Sequence, residues 1–484
     1  MAIPFNRVAK EKASDQHGVC HNSISDQEAT LIDISKETGA CATWPTRERL
    51  RALQRIIPRA RVEEVLSRTG HDRVHCPRLP AWFMVWFVIA LGLFCRDGYR
   101  QVFRWLQPFR NGATPGRPTL CEARKRLGIA PMRLLAEQVI QLQGKPTTPG
   151  AFYRGMRTMA LDGFVIDVPD TPANERAFGR PGSSRAPAAF PQTRVLALCE
   201  TGSHVLWRSL IKPCSCGEVT MAHYLLRFLQ RDMLLLWDRN FLSYQTLSEV
   251  RQRKAHLLAR IKKNLIFEPI RVLADGSYLS KMYRTSSDRQ KDRNGILVRI
   301  IEYTFDDPGR PGSGEPHRLL TTLLDDELDP AEALIVGYHE RWEEELTIDE
   351  LKTHQRERPV LRSQTPGGVV QELYGLLLGH YVVRVLMQEA AATQGIDPRR
   401  LSFTATLKIL RSRLPECPAS QQGRRRWYQN LVTEVAEEVL EERRNRINPR
   451  VIKRKMSNWG KKRPEHRNYP QPTKEFGKAI VMRR

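Results

Sequence analysis

Five consecutive apolar residues, Met233-Leu-Leu-Leu-Trp237, end abruptly on Asp238. Nothing polar interrupts them, so as a strand the run is covered on both faces, which requires a sheet with packed layers above and below it. Helical periodicity precedes the run over 218–231 and follows it over 244–253, and a further strand pattern occupies 256–261. Upstream, 158–161 and 164–166 read as strands about an Asp162-Gly163 turn, and 195–198 and 205–207 as two more. Strands leading into strand–helix–strand units predict an α/β fold with a mixed sheet.

The 484 residues suggest several domains, at roughly 100–200 residues each. Residues 1–44 are polar and aperiodic, with four Lys/Arg against six Asp/Glu, and are expected to form a flexible extension. Residues 45–145 read as a helical N-terminal domain. Its apolar stretch Ala81 to Cys95 is 15 residues long, short of the roughly 20 that span a bilayer, and is expected to be a buried helix. Thr119-Leu-Cys-Glu122 has the form of a capping box. The helix it would open carries Arg124, Lys125 and Arg126 and stops at Gly128, and a second helix is expected over 132–142. Two short helices about a glycine turn suit DNA docking, and a solvated basic face explains the cations equally well.

The break Gly144-Lys-Pro-Thr-Thr-Pro-Gly150 marks a boundary, after which 151–263 and 327–365 form the α/β core. Residues 264–326 read as a β-rich insertion punctuated by Asp-Gly and Pro-Gly turns. Asp329-Pro330 is expected to start a long helix with Asp as N-cap and Pro at N1. Helices over 366–390, 402–413 and 426–446 make 366–446 a helical C-terminal region, and 447–484 is a basic tail.

Lys and Arg number 78 against 53 Asp and Glu, a net charge of +25, which points to a polyanionic partner, nucleic acid first. Residues 443–484 hold 15 Lys/Arg against two acids, a net +13, or just over half of that charge. This tail, with Lys453-Arg-Lys455 and Lys461-Lys-Arg463, is expected to bind DNA without sequence preference. Nine irregularly spaced cysteines and the lack of an apolar leader segment suit free thiols in a reducing cytoplasm. His71, His75, Cys76 and Cys95, or Cys214 and Cys216 with His204 or His223, lack the paired spacing of a zinc site.

Three acids are set apart by position. Asp162 and Asp238 fall at strand ends, where α/β sheets place reactive groups, although a lone Asp there is more often a turn or cap residue. The third lies in Tyr338-His-Glu-Arg341-Trp-Glu-Glu-Glu345-Leu-Thr-Ile-Asp-Glu-Leu-Lys352. At about 100° per residue, Tyr338, Arg341, Glu345 and Lys352 share an arc of about 60°, while Glu343 and Glu344 fall outside it. An i,i+4 salt bridge explains Arg341 and Glu345, but not the aligned Tyr338 and Lys352. An acid among cations and a phenol suits a phosphate backbone crossing a metal site. Two Asp and one Glu supply hard oxygen ligands for Mg²⁺ or Mn²⁺, and two such ions would serve in-line phosphodiester displacement.

The Y-x2-R-x3-E-x6-K spacing, with Leu161-Asp162-Gly163 and Trp237-Asp238-Arg239-Asn240-Phe241, resembles the insertion element 4 family of DDE transposases over about residues 46–460. The resemblance implies a ribonuclease-H-like core, with Asp162, Asp238 and Glu345 as the catalytic, metal-binding triad. It also implies that Tyr338, Arg341 and Lys352 hold transposon-end DNA, and that Arg47 to Arg110 forms a helical N-terminal domain. Phe164, Asn240 and Glu344 depart from the usual pattern, and Glu344 would bring extra negative charge near the site. Trp342 is expected to pack the helix, with base stacking as the alternative. The expectation is a cut-and-paste transposase that synapses two inverted terminal repeats as a homodimer, cleaves, and joins 3′-hydroxyls to target DNA in the bacterial nucleoid. The alternatives are a catalytically decayed transposase acting as a DNA-binding regulator, and a stand-alone nuclease. Three carboxylates within metal-sharing distance would favour the enzyme over the regulator.

Overall fold

The computed structural model describes residues 53–72, 79–106, 113–182, 187–310, 312–418, 420–441, 464 and 470–483. The expected extension over 1–44, His75, Cys76 and the basic runs Lys453–Lys455 and Lys461–Arg463 lie outside the described residues.

The described chain opens with helices α1 (Arg59–Arg68), α2 (Ala81–Leu93), α3 (Tyr99–Leu106), α4 (Arg117–Leu127) and α5 (Ala130–Val139). α2 is apolar all round and buried from Phe83 onward, as its composition dictates. α4 starts earlier than expected, with Gly116 as N-cap and Pro118 in its first turn. Thr119 therefore lies inside the helix, and no capping box forms.

The core follows: β1 (Phe152–Tyr153), β2 (Met156–Asp167), α6 (Pro172–Phe178), β3 (Gln192–Glu200), β4 (Val205–Pro213), α7 (Glu218–Leu226), β5 (Met233–Trp237), α8 (Tyr244–Gln252) and β6 (His256–Arg260). β2, β3 and β4 are antiparallel neighbours, whereas β5 and then β6 run parallel to β2 through helical crossovers. This is a ribonuclease-H-like sheet. All five residues of β5 are buried. The Asp162-Gly163 turn does not form. Both residues stay in β2, paired with Ala197 and Leu196, so cross-strand bonding overrides the turn preference of the dipeptide.

The insertion contributes β7 (Arg271–Val272), β8 (Tyr278–Met282), α9 (Ser286–Gln290), β9 (Ile296–Phe305) and β10 (His317–Thr321). β10 pairs with β6, so these strands prolong the core sheet in the order β6-β10-β9-β8-β7. The expected long helix is broken into α10 (Ala331–His339), α11 (Trp342–Asp349) and a π-helical turn over Glu350–Gln355. Pro330, not Asp329, stands at the N-cap of α10, because the Asp329 carboxylate accepts from Arg154 at 2.9 Å instead.

Helices α12 (Pro366–Gln394), α13 (Phe403–Arg413) and α14 (Gln421–Ala436) follow. α12 is the central buried helix and packs along α2. Gly92 and Gly375 meet at their contact, where a Cβ on either would overlap the other helix's backbone. Arg362 donates to Leu91 O and Cys95 O, both at 2.9 Å, and so caps the end of α2. The N-terminal helices and α12 consequently share one apolar core. At the far end, β11 (Ile480–Met482) pairs with β9, and Phe476 stacks on His339. The last stretch of the basic tail is thus docked on the insertion.

Candidate active site

Sheet register brings the two aspartates onto neighbouring strands. Ala160 of β2 pairs with Leu236 of β5, two residues before Asp162 and Asp238 respectively; Asp238 directly follows the end of β5, whereas β2 runs on past Asp162 to Asp167. The Asp162 carboxylate accepts from the Gly163 N–H at 2.7 Å. Burial pushes its pKa up to about 6, against the pull of that N–H and of Arg341, with Glu218 and Glu345 adding to the rise. Asp238 is half-buried.

Helix α11 packs over β2 and supplies the third acid. The chain entering it is tied to the end of β5, where the Tyr338 hydroxyl donates to Trp237 O at 3.2 Å. Arg341 lies over the Tyr338 ring, 6.0 Å from its centroid, and donates to Glu345 at 3.1 Å. Burial works against the Arg341 charge, but Tyr338 and Glu345 outweigh it and raise its pKa above the usual range. Tyr338, Arg341 and Glu345 therefore form the contiguous group that the spacing predicted. Lys352 falls in the π turn, where i→i+5 bonding alters the angular spacing, so the regular stripe stops short of it.

Asp162, Arg341 and Glu345 interact electrostatically, as do Asp238 and Tyr338. Among the described residues, no three acidic, His or Cys side chains stand close enough to share one ion. Arg341 holds Glu345 in an ion pair.

Glu344 differs from expectation. It is fully buried and faces Asp162, whose backbone N–H and whose neighbour Arg341 act against the effect of burial. Burial, reinforced by Asp162, pushes its pKa well above the usual carboxylate range and so disfavours the negative charge expected there.

Sequence reasoning missed the cluster behind the helix. Glu350, at the start of the π turn, accepts from Arg384 Nε at 2.9 Å and meets His380 Nε2 at 3.1 Å and His204 Nδ1 at 3.2 Å. His204 occupies the β3–β4 turn with a left-handed φ of 57° and reaches Glu343 through Nε2 at 2.9 Å. Burial opposes the Glu350 charge, but Arg384 and His204 hold its pKa well below the ordinary range. Its partners come from distant segments, so no local pattern announces them.

Two expectations fail on burial. Arg124 is 4% exposed and donates to Tyr99 Oη, to Ser363 Oγ at 3.2 Å and to Gly368 O at 2.9 Å. It ties α4 to the start of α12, its guanidinium bonded to protein and turned from solvent. Lys125 and Arg126 are exposed, Lys125 paired with Glu122 at 2.6 Å. Trp342, expected to pack, is instead 49% exposed beside Arg341.

A ribonuclease-H-like sheet with acids on these two neighbouring strands is the framework of enzymes that break and join nucleic-acid strands. Two family profiles match in tandem, "Insertion element 4 transposase N-terminal" over residues 47–137 and "Transposase DDE domain" over 153–381. The chain belongs to the insertion element 4 family of DDE transposases. It is 29% identical over 402 residues to the transposase InsG for insertion sequence element IS4 of Escherichia coli (strain K12), covering 81% of this chain and 89% of that one. It is 27% identical over 221 residues to the putative transposase InsZ of the same organism, covering 44% and 72%. A chain in a solved piggyBac transposase synaptic complex with hairpin DNA overlays at a TM-score of 0.37 and 13% identity, covering 81% of this chain and 86% of that one.

Proposed function

We propose that the protein performs cut-and-paste transposition, cleaving DNA at inverted terminal repeats and joining the 3′-hydroxyls to target DNA. The observation that supports it is that Asp162 and Asp238 stand on the neighbouring parallel strands β2 and β5, two residues beyond the paired Ala160 and Leu236, with Glu345 of α11 acting electrostatically on Asp162. These three carboxylates would hold Mg²⁺ or Mn²⁺, two ions in all. The donor set has the chemistry that hard cations prefer, all oxygen and partly buried, and its three acids must close together to share an ion. Divalent ions there would supply activation of the attacking hydroxyl and stabilisation of the leaving oxygen.

The chain's own residues do the remaining work. Released from Glu345, the Arg341 guanidinium presents a bidentate donor to a phosphate, while Tyr338 fixes its plane by stacking. Lys352, Lys125 and Arg126 extend the positive track along transposon-end DNA, and exposed Trp342 offers a face for a base. Two protomers would pair two ends, and the basic run of 443–484 would hold duplex DNA. Bound to the chromosome in this way, the enzyme would reside in the bacterial nucleoid.

One observation favours a second reading, a DNA-binding regulator without catalysis: the acids are not within ion-sharing distance of one another. Cleavage of a duplex carrying the element's own ends, with Mn²⁺, separates the two. Asp162→Ala and Glu345→Ala should each abolish cleavage and leave end binding in place. Undiminished cleavage by either variant rejects the site, and a wild-type protein that binds but never cleaves favours the regulator.

A further inference from the structure

The last described residues lie across the insertion and α10. β11 pairs with β9, Ile480 beside Phe305 and Met482 beside Tyr303. Ahead of it, the buried Asp307 carboxylate accepts from the Thr473 N–H at 3.1 Å and the Lys474 N–H at 3.3 Å. The Lys474 ammonium pairs with Asp306 at 2.6 Å. Between these two fastenings the Phe476 ring lies almost flat on His339, with 4.1 Å between centroids and 21° between planes. Phe476 and Tyr338 pack on the same apolar cluster, which Leu334 and Ile335 of α10 help to build.

α10 ends at His339, and Glu340 and Arg341 separate it from α11. The last turn of a helix frays unless something holds it. Here the Tyr338 hydroxyl is bonded to Trp237 O, and Phe476 covers the residue that follows Tyr338. Arg341 lies over the Tyr338 ring, so any shift of that turn carries the guanidinium with it. Covering the edge of β9 explains β11, and it does not explain an aromatic ring laid on His339. Stacked rings constrain one another's position and tilt, which an aliphatic side chain of similar size does not. We propose that segment 473–482 is a positioning element, Phe476 holding the last turn of α10 and, through Tyr338, the Arg341 guanidinium. This rests on reading Arg341 as a contact to a DNA phosphate.

Binding of the full-length protein to a duplex carrying the element's own terminal repeat tests this. Phe476→Leu keeps the apolar cover and loses the flat ring, and its thermal unfolding beside wild type shows whether it folds. It should weaken binding by up to about 10-fold, the worth of an aromatic pair expressed as affinity. His339→Leu removes the stack from its other face and should weaken binding as much, whereas Phe476→Tyr should restore it. In an Arg341→Gln background neither Leu substitution should cost anything further, because effects that pass through one group do not add. Wild-type affinity in both Leu variants, with a loss in Arg341→Gln, overturns the positioning role and leaves the phosphate contact standing. Losses that recur undiminished in the Arg341→Gln background also overturn it, since the segment then acts on the fold and not on Arg341. Wild-type affinity in Arg341→Gln overturns the phosphate contact, and the positioning role with it.

Discussion

Glu344 and Glu350 lie less than two helical turns apart, both drawn out of water, yet their surroundings are opposite. Glu350 is met by Arg384, His204 and His380, donors from α12 and the β3–β4 turn, and keeps its charge. Glu344 looks toward β2, meets the Asp162 carboxylate and backbone N–H with Arg341 nearby, and is pushed toward the neutral form. The same residue type on one helix thus acts as a fastener behind the site and as an acid pressed toward neutrality in front of it. The π turn that begins at Glu350 belongs with the fastener, since π turns persist where tertiary contacts hold them. A helix fixed at its back can present Glu345 to the strand ends with little freedom to drift.

The fastener is broken most severely from the arginine side. Arg384→Met leaves Glu350 facing only imidazoles, and losing one partner of a buried ion pair costs about 3–5 kcal/mol. Denaturant unfolding should show that loss, and a change below about 1 kcal/mol would mean that the pair does not anchor the helix.

A smaller effect is expected from Glu350→Gln, which keeps the shape and loses the charge, at about 1–3 kcal/mol near neutral pH. The sign with pH follows from the depressed folded-state pKa. The stabilisation is fully present above the unfolded pKa, near 4.5, and is lost as pH falls below it. Wild type should therefore lose its advantage over Glu350→Gln progressively in acid, the two unfolding midpoints converging. Parallel midpoints down to pH 3 would contradict the pairing.

Much of this was legible in the residues. The unbroken run Met233–Trp237 was readable as a doubly covered strand because no polar residue alternates within it, and Asp238 marks its end. Glu345 was readable because its spacing from Tyr338 and Arg341 is local in sequence, spanning the short break between α10 and α11. The continuity of β2 was not, because Asp-Gly favours a turn unless a neighbouring strand claims it, and β3 does. The union of insertion and core rests on β10 meeting β6, a pairing such as Leu319 with Arg260 that no local pattern encodes. Arg124 misled for the same reason. A cation in a basic run looks solvent-facing until Ser363 and Gly368, far along the chain, close over it.

The most direct test is anomalous scattering from Mn²⁺ in crystals of the protein bound to a duplex of its own terminal repeat. The expected map has a manganese peak in contact with Asp162, Asp238 and Glu345, with Arg341 turned from Glu345 toward a phosphate. A complex with the DNA end seated on Tyr338 and Arg341, and no manganese between those three carboxylates, would contradict it.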